Sequence, residues 1–298
     1  MIYLFCYILL TSISCIIIKW FSVELPLEQT LLLAITFAIL FFHIINFNNI
    51  IPIYKKLITT KWLYLQVMIS IMVIWLFTFI GSAYVSPTST IFLLMLVGVM
   101  FAIGAEYKTT KNIFDLICFA TIFLLYIIFI HYILHTRTPI NSFGIFIIIL
   151  LIGVADYIYA KSSYSLMQIQ KLSATQMLAV RFWLLFALIT LHMFMTNKVA
   201  IFIRSINPHL ILSSFFIALT TFIIPIFMYQ KSIQKLGVNT PLILSGTIPI
   251  ITFLCEKYLL GEHVDIELLF FSIILFVIVC LHKLINAKIK RYYLSMRD

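Results

Sequence analysis

The sequence predicts an all-α integral membrane protein of ten transmembrane helices, arranged as two inverted five-helix repeats. Three observations lead there. Hydrophobic residues make up 63% of the 298-residue chain and charged residues 10%, with a mean hydropathy of +1.15, far above the roughly 45–50% apolar usage of soluble domains. The apolar residues fall into runs of about 20, the length that crosses a hydrocarbon core of about 30 Å as a helix. The basic residues gather at alternate ends of those runs. A soluble enzyme is excluded, and little chain remains for a domain outside the membrane.

The first run, Ile2–Phe21, follows Met1 with neither a basic leader nor a small-residue cleavage site, so it is expected to stay in the protein. Leu27–Phe47 follows. The third and fourth runs, Trp62–Gly81 and Thr88–Ala105, are joined through Tyr84-Val85-Ser86-Pro87-Thr88, where a proline in the first helical turn loses no hydrogen bond. The fifth and sixth, Asn112–Ile130 and Ser142–Ala160, flank a polar stretch that divides the chain into halves 1–135 and 136–298. Ser173–Met195, His209–Tyr229, Val238–Cys255 and Glu267–Ile285 complete the ten. Each must be helical, because lipid offers the backbone no hydrogen-bond partners. Gly237-Val238-Asn239-Thr240-Pro241 is a second proline-led connection, whereas Pro225 and Pro249 stand mid-span, where they free carbonyls and permit kinks.

With both termini cytoplasmic, fourteen of the twenty Lys and Arg residues lie on the inner side, which favours an even number of crossings. Lys19, after the first run, opposes that orientation locally; the whole-chain distribution outweighs it. A net charge of +10 would suit a nucleic-acid partner if it formed a stripe, but it is scattered over segment ends. No nucleic acid is expected; the partner is the bilayer, with the tail from Lys283 to Arg297 against anionic lipid. The five cysteines show no CxxC spacing and read as small apolar residues, with neither disulfide nor zinc expected.

Sliding the chain along itself by about half its length sets Thr11, Ser14, Cys15, Ile18 and Lys19 opposite Gly153, Asp156, Tyr157, Ala160 and Lys161. Nearby offsets align Leu25, Gln29 and Leu31 with Leu172, Gln176 and Leu178, and 83–87 with 236–240. Five crossings per half make the second half enter the membrane in the opposite sense. Inverted repeats of this kind are frequent in secondary transporters, with the substrate near the midplane between the halves.

The stretch from Ala218 to Glu262, with Gln230, Lys235-Leu236-Gly237-Val238-Asn239, Thr247-Ile248-Pro249 and Leu260-Gly261-Glu262, resembles the second half of the drug/metabolite transporter superfamily in its EamA-type permease branch. The resemblance implies ten helices in two inverted halves and the export or exchange of amino acids or related metabolites across a bacterial inner membrane. It also implies a capping role for Glu262.

Ionisable groups inside apolar runs are expensive unless paired, solvated or drawn to the interface, so Asp156 and Arg181 are the most informative residues. Two readings stand. They form a gate or substrate anchor, the guanidinium gripping a carboxylate or phosphate while the aspartate competes for it or carries a proton. Alternatively they form a permanent ion pair, or Arg181 snorkels to the inner surface. Gly153, Asp156, Tyr157, Ala160 and Tyr164 follow helical spacing along one face, matched by Thr11, Ser14, Cys15 and Ile18. These stripes either face a central path or serve close helix packing. Trp75, Tyr84, Tyr229, Gln230, Asn239, Ser245 and Thr247 are further candidate lining residues, against a background of 28 Phe and 15 Tyr in which packing roles are the default.

His131 and His135 share a helix face but lack a third ligand, so an interfacial pair is favoured over a metal site. No metal or cofactor is expected. Glu256, Glu262 and Asp265 read as interfacial acids. The chain carries no GxxxxGK[ST] loop and no room for a nucleotide-binding domain.

The expected function is therefore a secondary transporter, not an enzyme, moving a small amphipathic metabolite by alternating access, with proton coupling through Asp156. An importer or exchanger of nucleotide- or cofactor-like substrates in a host-dependent bacterium is the alternative, since the Ile-, Lys- and Phe-rich composition points to an A/T-rich genome. An intramembrane lipid-modifying enzyme ranks below both, as no nucleophile has a histidine at its depth.

Overall fold

The apolar runs become helices almost end to end. The structure, a computed structural model, describes residues 1–84, 86–136, 142–261 and 266–295, with side chains described over 1–83, 86–132, 150–261 and 266–289. The sequence-based assignments to Arg137, Val85, Glu262 and Asp265 lie outside the described residues, as do the side chains of Tyr84, His135 and the tail beyond 289.

Helix α1 (Ile2–Glu24) stops because Leu25 precedes Pro26 and is held extended, at φ −120° and ψ 145°. Helix α2 (Leu27–Ile45) follows directly. The connection after it folds into α3 (Ile50–Thr59), which buries Ile53 and Leu57 and exposes Lys55 and Lys56. That amphipathic pattern suits a helix lying along an interface. Next come α4 (Lys61–Tyr84) and α5 (Pro87–Thr110), the latter capped by Ser86 Oγ accepting from Ser89 N, with Pro87 in its first turn. Lys111, in the left-handed region at φ 54°, turns the chain into α6 (Ile113–Thr136). Helix α7 (Ser142–Ile169) opens the second half.

The seventh predicted segment is divided. A capping box of Ser173 and Gln176 starts α8 (Ala174–Val180), the chain breaks at Arg181-Phe182, and α9 (Trp183–Met195) resumes. After α10 (Val199–Ser205), the eighth segment runs as α11 (Pro208–Ile217), a π turn over Ala218–Ile223, and α12 (Ile224–Leu236). The ninth is α13 (Asn239–Ser245) and α14 (Ile248–Cys255), ending in a second π turn at Glu256–Leu260. Helix α15 (Ile266–Ser295) completes the chain. Among the described residues nine helical stretches are long and apolar enough to cross a membrane. The sixth predicted segment, absent from that set, is the 28-residue α7.

The mid-span prolines act as expected: Pro225 follows the first π turn, and Pro249 follows the Gly246-Thr247 break. The backbone carbonyls near both breaks are served by hydroxyls of α1. Ser14 Oγ donates to Thr220 O at 2.7 Å and Ser12 Oγ to Ile248 O at 3.3 Å. At the third break, Tyr64 Oη donates to Val180 O at 2.9 Å. Irregular backbone inside a bundle needs such partners, and here neighbouring helices supply them.

The two halves interleave. Helix α1 packs on α4, α12 and α14, α7 on α4, α5 and α12, α2 on α8, α9 and α11, and α5 on α6, α13 and α14. The α5–α7 crossing is close because Gly153 lies against Val97: a Cβ at 153 would stand 2.1 Å from Val97 Cβ. All five cysteines are free.

Candidate functional site: a buried cavity between the halves

Helices α1, α4, α5, α7 and α12, together with the break at Arg181 and the π turn, enclose a cavity of ≈ 60 Å³. Thr11, Ser14, Cys15 and Ile18 enter it from α1, one helical stripe as their spacing requires. Trp75 and Thr78 come from α4, Met95 from α5, Asp156 and Tyr159 from α7, Thr221 from the π turn, and Pro225 and Tyr229 from α12.

Arg181 is fully buried at the α8–α9 break. Its Nη1 donates to the Tyr159 hydroxyl, which donates in turn to Gln230 Oε1 at 2.7 Å; Gln230 Nε2 then reaches Met167 Sδ at 3.3 Å. The guanidinium lies 4.3 Å from the Phe182 ring centroid and 5.5 Å from that of Tyr159, an arrangement in which ring faces stabilise the cation without a counter-ion. Asp156 projects over Gly98: a Cβ built on that glycine would come within 3.1 Å of Asp156 Oδ2. The Tyr229 hydroxyl faces the Asp156 carboxylate without forming a well-aligned hydrogen bond among the described residues. Asp156 and Arg181 thus share one chamber without being within salt-bridge distance of each other. Neither an ion pair nor a snorkelling arginine describes them. Tyr7, Tyr229 and Tyr159 stack in sequence, with centroids 4.5 Å and 6.3 Å apart.

The sequence-based candidates divide accordingly. Ser14, Trp75, Asp156, Arg181 and Tyr229 converge on the cavity. Gln230 stands one hydrogen bond behind it, on Tyr159. Tyr157 turns away and packs on Phe101 at 5.9 Å. Ser245 and Thr247 return their hydroxyls to Leu242 O and Leu244 O of their own chain segment. Asn239 opens α13, and Tyr84 ends α4. Sequence reasoning missed Tyr7, Tyr159 and Thr221; the signal for Tyr159 was its position three residues after Asp156, on the same helical face.

A second polar cluster joins α5, α6 and α15. Fully buried Asp115 accepts from Thr110 Oγ1 at 2.6 Å, from Asn286 Nδ2 at 2.9 Å and from His282 Nε2 at 2.9 Å. Glu106 accepts from Lys283 Nζ at 3.2 Å. The ligand atoms of Glu106, Asp115 and His282 lie within 4.8 Å of one another, close enough to share a cation. The Lys283 ammonium and the Asn286 amide already supply positive charge and donors there, which makes the cluster an interhelical clamp. The signal for it was His282 and Asn286 at i, i+4 in the last segment. At the other end of α5, buried Glu256 accepts from Ser86 Oγ at 3.2 Å and Thr88 N at 2.8 Å, tying α14 to the α5 N-terminus.

A wider cleft of ≈ 720 Å³ lies between α2, α4, α9 and α10, with Glu28 paired to Lys198 at 2.9 Å. Phe79, on its wall, stacks on Phe222 at 5.8 Å, and Phe222 packs on Trp75 at 4.4 Å. The three rings thus run in contact from the wall of the cleft to Trp75 in the wall of the central cavity. Comparison with protein-family models yields no match, and comparison with curated proteins yields none either.

Proposed function

We propose that this chain is a secondary transporter that carries a small amphipathic metabolite by alternating access through the central cavity. The observation that carries the reading is the convergence of Asp156 and Arg181, from two different membrane segments, on one buried chamber lined by both halves of the chain. Its ≈ 60 Å³ holds a few waters, well under the roughly 300–1,000 Å³ of ordinary small-molecule pockets. A substrate therefore enters only as the halves separate, and the aromatic partition of Trp75, Phe222 and Phe79 is the barrier toward the wider cleft.

The packing supports an inverted repeat of ten crossings. Pairing the first segment with the sixth, the third with the eighth and the fourth with the ninth makes the α1–α12 contact the counterpart of α7–α4, and α1–α14 the counterpart of α7–α5. With the motif around Gly237 and Thr247, this favours a drug/metabolite transporter of the EamA type in a bacterial inner membrane, termini cytoplasmic. We read the direction as export or exchange, with import the alternative. Against an enzyme stands the use of Ser14 for backbone carbonyls and the lack of any histidine among the lining residues.

Asp156 is the natural proton carrier. Flux measured in proteoliposomes over a pH series should lose its pH dependence in Asp156→Asn. An unchanged profile would eliminate proton coupling through this residue, and the absence of flux for pooled amino acids and nucleotides would remove the transporter reading.

A further inference from the structure

We infer that the central cavity is built to receive an oxyanion, a carboxylate or phosphate group of its ligand, on the Nε–Nη2 edge of Arg181. The inference rests on the transporter reading for its physiological sense and on the cavity's own geometry for its chemistry.

A guanidinium carries five N–H donors in a planar fork. Here Tyr159 takes Nη1, while Nε and Nη2, both fully buried, have no hydrogen-bond partner among the described residues. These two nitrogens form the side-on edge that grips two oxygens of one carboxylate or phosphate in parallel. Asp156 lies in the same cavity but does not reach the edge, and the ring faces of Phe182 and Tyr159 hold the cation without satisfying its protons. A buried cation with two unmatched donors is costly to maintain, and an anionic occupant removes that cost.

The remaining lining points the same way. Six of the ten buried polar atoms that lack a hydrogen-bond partner among the described residues belong to residues that line this one cavity. Besides the two Arg181 nitrogens they are Trp75 Nε1, which only donates, and the hydroxyls of Thr11, Thr221 and Tyr229. Among the described residues the other four are single atoms of Ser82, Thr88, Ser214 and His282. The groups of the cavity are set in a largely apolar wall, where the stacked Tyr7 and Tyr229 rings would hold an apolar portion of the ligand.

The test uses purified full-length protein and matched probes differing in charge: 3-phenylpropionate against 3-phenylpropionamide for carboxylate, and adenosine monophosphate against adenosine for phosphate. Thermal stabilisation reports binding. The expected result is stabilisation by the anionic member of at least one pair, with the neutral member weaker by about tenfold or more, the loss when charge-assisted hydrogen bonds disappear. Arg181→Lys, which keeps the charge and loses the fork, should weaken the anion by a similar factor. Thr221→Val, which leaves Arg181 in place, should weaken it less and guards against a misfolded arginine variant. Equal stabilisation by neutral probes, no stabilisation by any probe, or an unaffected Arg181→Lys overturns the inference. Flux indifferent to probe charge removes the fork and leaves the transporter, whereas Arg181-dependent anion binding without flux leaves the fork and removes the transporter.

Discussion

The clamp of Asp115, Glu106 and His282 and the chamber of Asp156 and Arg181 contain the same ingredients, buried acids and buried bases. They differ in what the protein supplies to them. In the clamp Asp115 accepts three hydrogen bonds and Glu106 faces Lys283. In the chamber Asp156 and Arg181 remain apart, and two guanidinium nitrogens have no hydrogen-bond partner among the described residues. A buried polar network stabilises a fold when its members are satisfied and destabilises it when they are not. In the clamp only His282 Nδ1 lacks a partner among the described residues, against six atoms of residues lining the chamber; the clamp therefore reads as structural, and the chamber is the place where the proposed ligand would supply what the chain does not.

The comparison breaks most directly at the clamp. Asp115→Ala takes the short carboxylate contact from buried His282 and one of several partners from Asn286 and Thr110, and removal of one partner from a buried charged network costs about 3–5 kcal/mol. Thermal unfolding in detergent should record this loss; full stability with impaired flux would assign the clamp to function instead. A smaller effect is expected at the helix crossing beside the chamber. Gly153→Ala forces α7 away from Val97 and should cost about 1–3 kcal/mol, together with flux, since the same shift carries Asp156 off its position over Gly98. An unperturbed melting temperature would show that the crossing is looser than the 2.1 Å approach implies.

The finest contrast comes from Tyr229→Phe. That hydroxyl faces Asp156 with no well-aligned hydrogen bond among the described residues, so its removal should change stability by no more than about 1 kcal/mol. Substrate affinity should fall about tenfold, the equivalent of one lost charge-assisted bond. Paired unfolding and flux measurements on this variant decide the matter, and a drop in stability equal to that of Asp115→Ala would erase the distinction between the two regions.

Ser14, Trp75, Asp156, Arg181 and Tyr229 were accessible from the sequence, because a charged or hydroxyl-bearing residue in an apolar run contrasts with its surroundings. Tyr159 was not separated from Tyr157 by composition. Two positions apart on a helix they point some 200° away from one another, so the choice between cavity and Phe101 depends on how α7 is rotated. The break at Arg181-Phe182 was equally hidden: no proline or glycine marks it, and it persists because Tyr64 covers the carbonyl of Val180.

Hydropathy and the spacing of apolar runs determined that the chain is a multi-helix membrane protein, since lipid leaves the backbone no alternative to helix. Pro225 and Pro249 likewise fixed where two helices yield. Tertiary structure decided which partner each buried charge obtained. Between residues distant in the chain that outcome depends on helix rotation and crossing, which no local pattern encodes. Packing gave Asp115 its donors and Arg181 the rings of Phe182 and Tyr159, with one edge of the guanidinium unclaimed.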